Sequence, residues 1–516
     1  MLGYVDSSLK AGRAAPHRRP NRARAACKEA RSMSYPVEEL DPRPVWRYFD
    51  KIRQIPHGSG NEEALGNAIV SWIEERGHEA KRDRAGNIIG RIPATSARET
   101  APTVVLQGHI DMVCEKNAGT EFDFEKDPLT LKREGDWITA DGTTLGADNG
   151  IGVALALAFL DSPDVAHGPL ELLLTVDEET GLVGARSLEP DFVTGRLMIN
   201  LDSEEDGIFY IGCAGGRDTT IRLLLRRQEV TGGAGYQIHV KGLRGGHSGM
   251  DIIKNRGNAV RLAARALRAL TRELNVSLGG IEGGDKHNAI PREASAVVVI
   301  ESGDEARARE ILAAQLKGFR REFGDEPELD LTAAKTDPPP HVLTPESRDK
   351  ALQLLLGLPH GVLAMSRDIP GLVETSNNVA RVRTTKDRLE ILTSSRSSVE
   401  SALDGTIAQI EAVALAVEAD VDMDEGYPGW QPDLDSKLLA RSREVWKRVH
   451  GKEPELKAVH AGLECGIIGE RYPGMDMVSF GPTIENAHSP DEKLHIPSVA
   501  RYYEFVKELL KELSES

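Results

Sequence analysis

Short apolar runs alternate with helix-like segments through the first two hundred residues of the chain. Residues 104–109, 170–176 and 197–201 have the length and composition of buried strands. Residues 61–76 and 151–160 instead place their apolar side chains at helical spacing, and Gly77 is a helix-end signal for the first of them. Strands that alternate with helices predict an open α/β sheet with helices packed against it.

The pattern changes after residue 216 and changes back near residue 425. Hairpin-like strands and amphipathic helices follow one another in this middle part, and residues 245–249 (GGHSG) predict a flexible turn. This order is typical of an α+β insert. The predicted units are a disordered basic extension (1–33), the first part of a catalytic domain (34–214), an inserted lid domain of the dimerisation type (215–424), and the second part of the catalytic domain (425–516).

Composition narrows the class of protein. A chain of 516 residues exceeds a single core, and its net charge of −17 argues against nucleic acid or an anionic membrane as a partner. The longest apolar run, residues 151–160, is too short to cross a bilayer. Four cysteines without a CxxC pair fit a reducing compartment, so we expect a cytoplasmic protein.

Three of the predicted strands end in residues that bind hard or borderline metal ions. His109 and Asp111 follow the first strand, Glu178 and Glu179 follow the second, and Asp202 follows the third. The carboxyl ends of strands in an open α/β sheet are where such folds place their sites. Adjacent glutamates point to different sides, so one can bind a metal while the other faces the substrate as a general base.

Two further residues complete the candidate set. Asp148 lies on a glycine-rich turn (GTTLGADNG) before a helix, where it either bridges two metals or only caps the helix. A phosphate-binding loop is excluded because no GK[ST] follows the glycines. His488, after the predicted strand 475–480, is a candidate for the last metal position.

The candidate set has two imidazoles and three carboxylates: His109, Asp148, Glu179, Asp202 and His488. A mixed nitrogen and oxygen set suits Zn²⁺, with Mn²⁺ or Co²⁺ as substitutes. If Asp148 bridges, two metal ions activate a shared water, and Glu178 takes its proton. The reaction class that this arrangement fits is amide hydrolysis.

The motifs GHIDM, GTTLGADNG, TVDEETG, NLDSEE, GGHSG and AHSPDE together resemble the M20 metallopeptidases. KHNAIPREA, YPGWQPD and HAGLECG are similar to the aminoacyl-histidine dipeptidase branch of that family, the cytosolic nonspecific dipeptidases. The resemblance covers the chain from about Pro36 to its end. It implies a mixed sheet sandwiched by helices, as in di-zinc exopeptidases, with an inserted α+β lid domain.

The resemblance also assigns roles. It implies two zinc ions per subunit, one held by His109, Asp148 and Asp202 and the other by Asp148, Glu179 and His488. Glu178 is implied as the general base, and Asp111 as the residue that orients His109. The Asp148–Asn149 peptide is expected to be cis.

In the lid, the resemblance implies substrate contacts from His247, Asn288 and Arg396. His247 is expected to stabilise the oxyanion, supplied by the partner subunit in dimeric relatives, so we expect a homodimer. His247 and His460 also remain compatible with a structural role. The chain departs from the family pattern at Asn377 and Ala380, where an apolar residue and a glycine are expected, which affects substrate preference.

The function implied is hydrolysis of Xaa-His and other unblocked dipeptides, including β-alanyl-histidine. The alternative within the family is a deacylase of N-acyl amino acids, which would not require a free amino group on its substrate. A catalytically inactive binding protein on the same fold would lack a ligand or the base, and neither is missing here.

Overall fold

The structure is a computed structural model that describes residues 35–515. The predicted basic extension, residues 1–33, lies outside the described residues. The helices are α1 (Arg43–Ile52), α2 (Glu63–Glu74), α3 (Ala147–Ala158), α4 (Val183–Ser187), α5 (Ala259–Glu273), α6 (Glu305–Glu322), α7 (Pro345–Gly357), α8 (Glu400–Leu415), α9 (Lys437–His450), α10 (Glu464–Arg471) and α11 (Ile496–Leu513).

The strands in the first half of the chain are β1 (Glu79–Arg82), β2 (Ile88–Ile92), β3 (Val104–His109), β4 (Leu131–Glu134), β5 (Trp137–Ala140), β6 (Leu170–Thr175), β7 (Leu197–Asn200), β8 (Ile208–Cys213), β9 (Gly215–Leu224), β10 (Arg227–Glu229), β11 (Ala234–Lys241) and β12 (Gly246–His247). Those in the second half are β13 (Val276–Gly283), β14 (Ala289–Ile290), β15 (Ala294–Ile300), β16 (Asp330–Thr336), β17 (His341–Leu343), β18 (Gly361–Met365), β19 (Val373–Thr384), β20 (Arg388–Ser397), β21 (Asp420–Met423), β22 (Glu455–Val459), β23 (Asp476–Ser479), β24 (Ile484–Glu485) and β25 (Lys493–His495).

The first large sheet is mixed, with strand order β1-β2-β6-β3-β7-β23-β8-β22. At its centre β6, β3 and β7 run parallel to one another. Their side chains are buried on both faces of the sheet. Consecutive residues such as Leu172 and Leu173 point to opposite faces and belong to separate apolar clusters. Helices α1, α2, α3, α9 and α11 cover one face, and α4 and α10 cover the other. The predicted mixed sheet between helices is confirmed.

The second large sheet is antiparallel, with order β16-β11-β15-β13-β19-β20-β9-β21 and β18 beside β19. Its apolar face packs against α5, α6, α7 and α8 to form a separate core. The α+β character predicted for the middle of the chain is therefore confirmed. No helix among residues 35–515 has the length and apolar character needed to cross a membrane.

The chain passes between the two sheets at two adjacent places. Residues 213–216 lead out of the first sheet, and residues 426–430 lead back. The two segments are paired with each other, through bridges between Cys213 and Trp430 and between Gly216 and Tyr427. These crossings lie beside the domain boundaries placed at 214/215 and 424/425, which stay a prediction.

The structure differs from the sequence expectations in two local elements. Residues 246–247, expected in a flexible turn, form the two-residue strand β12 paired with β14. Residues 131–140, for which the sequence analysis gives no element, form the hairpin β4–β5, which pairs with β25 near the chain end. Both elements owe their order to partners far along the chain, which local periodicity does not reveal.

Candidate metal and catalytic site

The candidate ligands meet at one edge of the first sheet. His109 is the last residue of β3, Asp202 follows the end of β7, and Glu179 follows β6. Because these three strands are parallel neighbours, their carboxyl ends carry the three side chains to the same place. The expected convergence of the strand ends is present in the structure.

Asp148 lies where α3 begins, and its backbone departs from helical geometry. Gly146, the residue before the helix, has a left-handed φ of 66°, and no side chain caps the helix from that position. The peptide between Asp148 and Asn149 is cis, as expected. Asp148 does not cap the helix, because its Oδ1 lies 3.3 Å from His109 Nε2 and its Oδ2 lies 3.1 Å from His488 Nε2.

Each imidazole has a second carboxylate beside it. Asp202 Oδ1 is 3.2 Å from His109 Nε2, and Glu179 Oε1 is 2.9 Å from His488 Nε2. These two carboxylate oxygens are buried and accept no hydrogen bond from any residue between 35 and 515. Donor atoms of His109, Asp148 and Asp202 lie within 4.8 Å of one another, and so do those of Asp148, Glu179 and His488. Buried acceptors without donors, set around imidazole nitrogens, fit a pair of cations.

The pKa shifts of the clustered side chains also fit a pair of bound cations. The carboxylates of Asp148 and Glu179, both within 3.1 Å of the imidazole, raise the pKa of His488 to about 11. Burial raises the pKa of Asp202 to about 7, with repulsion from Asp148 adding to the effect. Carboxylates this close together resist ionisation unless positive charge is placed between them. Cations bound between them would supply that charge.

Asp111 lies behind His109 and fixes two loops. Its Oδ1 is 3.3 Å from His109 Nδ1 and accepts a hydrogen bond from the backbone N–H of Glu178 at 3.0 Å. Its Oδ2 accepts from the N–H of Glu179 and from Ser59 Oγ. Burial opposes the charge, yet these contacts, led by the hydrogen bond with His109, lower the pKa of Asp111 to about 2. The carboxylate is therefore charged and holds His109 in one orientation.

Glu178 lies beside the cluster but is a member of neither of the two candidate ligand sets that share Asp148. One of its carboxylate oxygens lies within 4.8 Å of donor atoms of His109 and Glu179. Burial, with repulsion from Asp202, Glu464 and Glu179, raises its pKa well above the ordinary value. A carboxylate with a raised pKa binds a proton strongly, which suits a general base.

Two buried glutamates lie near the site beyond the candidate set. Glu464 accepts hydrogen bonds from Gln107 Nε2 in β3 and from Thr175 Oγ1 in β6. Burial raises its pKa to about 7. Glu492 accepts backbone N–H groups at the start of α3. Glu492 lies within the motif AHSPDE, but nothing in the sequence signals its burial.

The lid candidates form a second cluster. His247 Nδ1 accepts hydrogen bonds from the N–H groups of Gly249 and Met250, at 3.2 and 3.1 Å. Burial and the nearby Arg396 lower the pKa of His247, so the ring is neutral and its proton is on Nε2. The backbone carbonyl of Asn288 accepts a hydrogen bond from the N–H of Ser248, the residue after His247, at 2.8 Å.

Arg396 is 6 % exposed and donates from Nη1 to Tyr427 Oη at 2.8 Å, while its Nε has no partner among the described residues. His460 bonds to Ser376 Oγ at 2.7 Å. Asn377, at a position expected to be apolar, is buried with both ends of its amide bonded, to Pro359 O and to Ser395 Oγ. The departure from the family pattern therefore leaves no buried amide atom without a partner there.

The lid cluster and the metal-ligand cluster are separate. Within residues 35–515, His247, Asn288 and Arg396 share no hydrogen bond or ion pair with the five candidate ligands. The structure thus brings together His109, Asp148, Glu178, Glu179, Asp202 and His488 with Asp111 behind them, and leaves the lid residues apart.

Comparison with known proteins shows which family this chain belongs to. The profile of peptidase family M20/M25/M40 matches residues 105–512. The chain is 42 % identical over 479 residues to the cytosol non-specific dipeptidase of Escherichia coli, covering 92 % of this chain and 99 % of the relative.

Two solved structures extend the comparison. The aminoacylhistidine dipeptidase of Vibrio alginolyticus superposes with a TM-score of 0.88 at 40 % identity, covering 92 % of this chain and 98 % of that one. An aminopeptidase of Bacillus cereus shares the fold at a TM-score of 0.55 and 17 % identity, over 92 % of this chain and 99 % of that one. The resemblance drawn from the motifs is confirmed: the chain belongs to peptidase family M20/M25/M40.

Proposed function

We propose that this chain is a metal-dependent dipeptidase that hydrolyses Xaa-His and other unblocked dipeptides, including β-alanyl-histidine. The observation that carries the proposal is the position of Asp148, whose two oxygens face two different imidazole–carboxylate pairs. The names of the relatives support the substrate class, because both the Escherichia coli and the Vibrio alginolyticus proteins are dipeptidases by name.

The proposed ligands are His109, Asp148 and Asp202 for one ion and Asp148, Glu179 and His488 for the other. The mixed nitrogen and oxygen donors favour Zn²⁺, with Mn²⁺ or Co²⁺ as substitutes. Two such ions, when bound, would lower the pKa of a shared water and stabilise the negative charge that develops on the scissile carbonyl oxygen.

The remaining steps are assigned to side chains of this protein. Glu178 takes a proton from the attacking water and passes it to the leaving amine, and Asp111 keeps His109 oriented through Nδ1. His247, neutral with its proton on Nε2, is a donor suited to the oxyanion. Arg396, whose buried Nε has no partner among residues 35–515, is suited to the substrate carboxylate. Asn288, whose backbone carbonyl accepts the N–H of Ser248 beside His247, is proposed as a further substrate contact.

We also propose that two copies associate through the lid, close to His247. Met250 and Ile253 are 58 % and 45 % exposed, and Leu363 and Met365 of β18 are 39 % and 43 % exposed. The turn at residues 252–254 contacts β18, so these four exposed side chains lie on neighbouring segments of the lid, and together they are called here the lid patch. A cytosolic location is proposed from the name of the Escherichia coli relative.

The test is hydrolysis by protein stripped of metal and reloaded with Zn²⁺. We expect release of histidine from leucyl-histidine and β-alanyl-histidine, no turnover of N-acetyl-histidine, and no activity without added metal. The control is Glu178→Gln, which retains the ligands and is expected to lower kcat by about 10²- to 10⁴-fold. Turnover of N-acetyl-histidine in preference to both dipeptides would support the deacylase alternative instead.

A further inference from the structure

The carboxylate of Glu492 is enclosed by the backbone of the turn that carries Asp148. Its Oε2 accepts the N–H groups of Leu145 at 2.7 Å and Gly146 at 3.0 Å. Its Oε1 accepts those of Ala147 at 2.8 Å and Asp148 at 3.3 Å. The residue is 2 % exposed. Each oxygen of this one buried carboxylate thus accepts two hydrogen bonds from four consecutive backbone amides.

Within the part of the chain that the structure describes, these amides have no other acceptor. The first N–H groups of a helix lack intrahelical partners, and α3 has glycine at its N-cap position and no side-chain cap from there. Asp148, the acidic residue in the first turn, directs its oxygens to the imidazoles instead. Glu492, 344 residues further along the chain, takes the place of the missing cap.

The loop that supplies Glu492 also supplies His488. His488 precedes it by four residues, has a left-handed φ of 61°, and contacts Asp148 Oδ2 at 3.1 Å. The intervening turn is closed by the N–H of Glu492 donating to Ser489 O at 3.0 Å. One short loop therefore touches residue 148 twice, at its backbone through Glu492 and at its side chain through His488.

We infer that Glu492 is a positioning residue, which fixes Asp148 relative to His488 so that the oxygen of one and the nitrogen of the other can bind the same ion. Glu492 touches neither the proposed ions nor a substrate, and it acts through the four amides. The inference rests on the proposed metal site, so its test measures metal binding directly.

The test is a calorimetric titration of the metal-free chain with Zn²⁺, comparing the wild type with Glu492→Gln. Glutamine has the same shape but replaces one acceptor oxygen by an NH₂ group, which faces two amide donors. We expect at least one of the two zinc affinities to fall by roughly 10- to 100-fold, as is usual when a residue that holds a ligand is changed. We also expect kcat for leucyl-histidine to fall with little change in KM, and excess Zn²⁺ to restore part of it.

Glu171→Gln is the matched control. Glu171 is also 2 % exposed and also accepts two consecutive amides, from Thr194 and Gly195, both at 2.9 Å. It lies near the opposite end of β6 from the site, about 13 Å along the strand from Thr175. We expect this variant to lower the melting temperature and to leave both zinc affinities unchanged.

Wild-type zinc affinities in Glu492→Gln, with only a lower melting temperature, would overturn the inference, because Glu492 would then resemble Glu171. If the glutamine variant does not fold, Glu492→Asp replaces it, since aspartate keeps the charge but is one methylene too short to reach all four amides. Weakened zinc binding in that variant supports the inference, and wild-type binding overturns it. A wild-type chain that binds zinc but cleaves no dipeptide contradicts the proposed function alone.

Discussion

Asp148 differs from the other acidic residues of the site because each of its oxygens faces a different imidazole. Asp202, by contrast, lies beside His109 only. We therefore predict that Asp148→Asn loses both zinc ions in a calorimetric titration, whereas Asp202→Asn retains one. Two ions bound with wild-type affinity in Asp148→Asn would show that this residue is not shared between them.

His460 makes the stability of the lid cluster depend on pH. Burial, with the charge of Arg396, lowers its pKa to about 3, whereas an unfolded chain has a histidine pKa of about 6.5. Below pH 6.5 His460 is protonated in the unfolded chain but stays neutral in the folded chain. The free energy of unfolding therefore decreases as the pH falls from 6.5 towards 3.

Between pH 7 and pH 5 the loss from this one group is about 2 kcal/mol. His460→Gln, which can still bond to Ser376, is expected to show a correspondingly smaller fall in the free energy of unfolding over that range, measured by urea denaturation. Equal slopes in the two proteins would mean that His460 does not stay neutral in the folded chain.

At the scale of elements, helix α3 packs against the end of β7 with no room for a side chain at Gly152. A Cβ there would lie 2.5 Å from Leu201 O, one residue before Asp202. Gly152→Ala is therefore expected to cost about 1–3 kcal/mol in the free energy of unfolding and to lower activity by displacing Asp202.

Gly405 in α8 is the control for that substitution, because a Cβ there meets nothing within 4 Å. Gly405→Ala is expected to stabilise the chain by about 0.5–1 kcal/mol, since alanine loses less backbone entropy in a helix. Thermal unfolding of both variants measures the difference. A neutral Gly152→Ala would indicate that α3 can move away from β7 without cost.

The elements around the site could be predicted from the sequence because each has a strong local signal. The apolar runs of β3, β6 and β7 are buried on both faces, His109 ends the first of them, and Asp148 follows a glycine-rich turn that is itself a strong signal. The hairpin β4–β5 could not be predicted, because residues 131–134 read Leu-Lys-Arg-Glu and only the first is buried. Its order comes from pairing with β25, which no local pattern reveals.

The site was likewise predictable only in part. Residues that bind metals stand out by type and by position at strand ends, so the five candidate ligands, Glu178 and Asp111 could be named. Nothing in the sequence marks Glu492 and Glu464 as buried, and only the fold shows that Glu492 accepts backbone amides and that Glu464 accepts the side-chain amide of Gln107. Partners more than 280 residues away decide their roles.

For the whole molecule, the lid patch predicts self-association. Aspartate at Leu363 and Met365 would place charge in the centre of an apolar contact. We predict that the wild type sediments as a dimer, with twice the chain mass of 56.2 kDa, and that the Leu363→Asp, Met365→Asp double variant sediments as a monomer.

Leu415→Asp is the control, because Leu415 is 62 % exposed at the end of α8 and lies outside the lid patch. It is expected to remain a dimer. A monomeric wild type, or a double variant that sediments like the wild type, would contradict association through the lid patch.

The most direct test of the two-metal site is a crystal structure of the zinc-loaded chain, with diffraction recorded on both sides of the zinc absorption edge. The proposed two-metal site predicts two anomalous peaks, one on each side of Asp148, the first contacted by His109 and Asp202 and the second by Glu179 and His488. A single peak, or peaks that leave Asp148 without a contact, would contradict it.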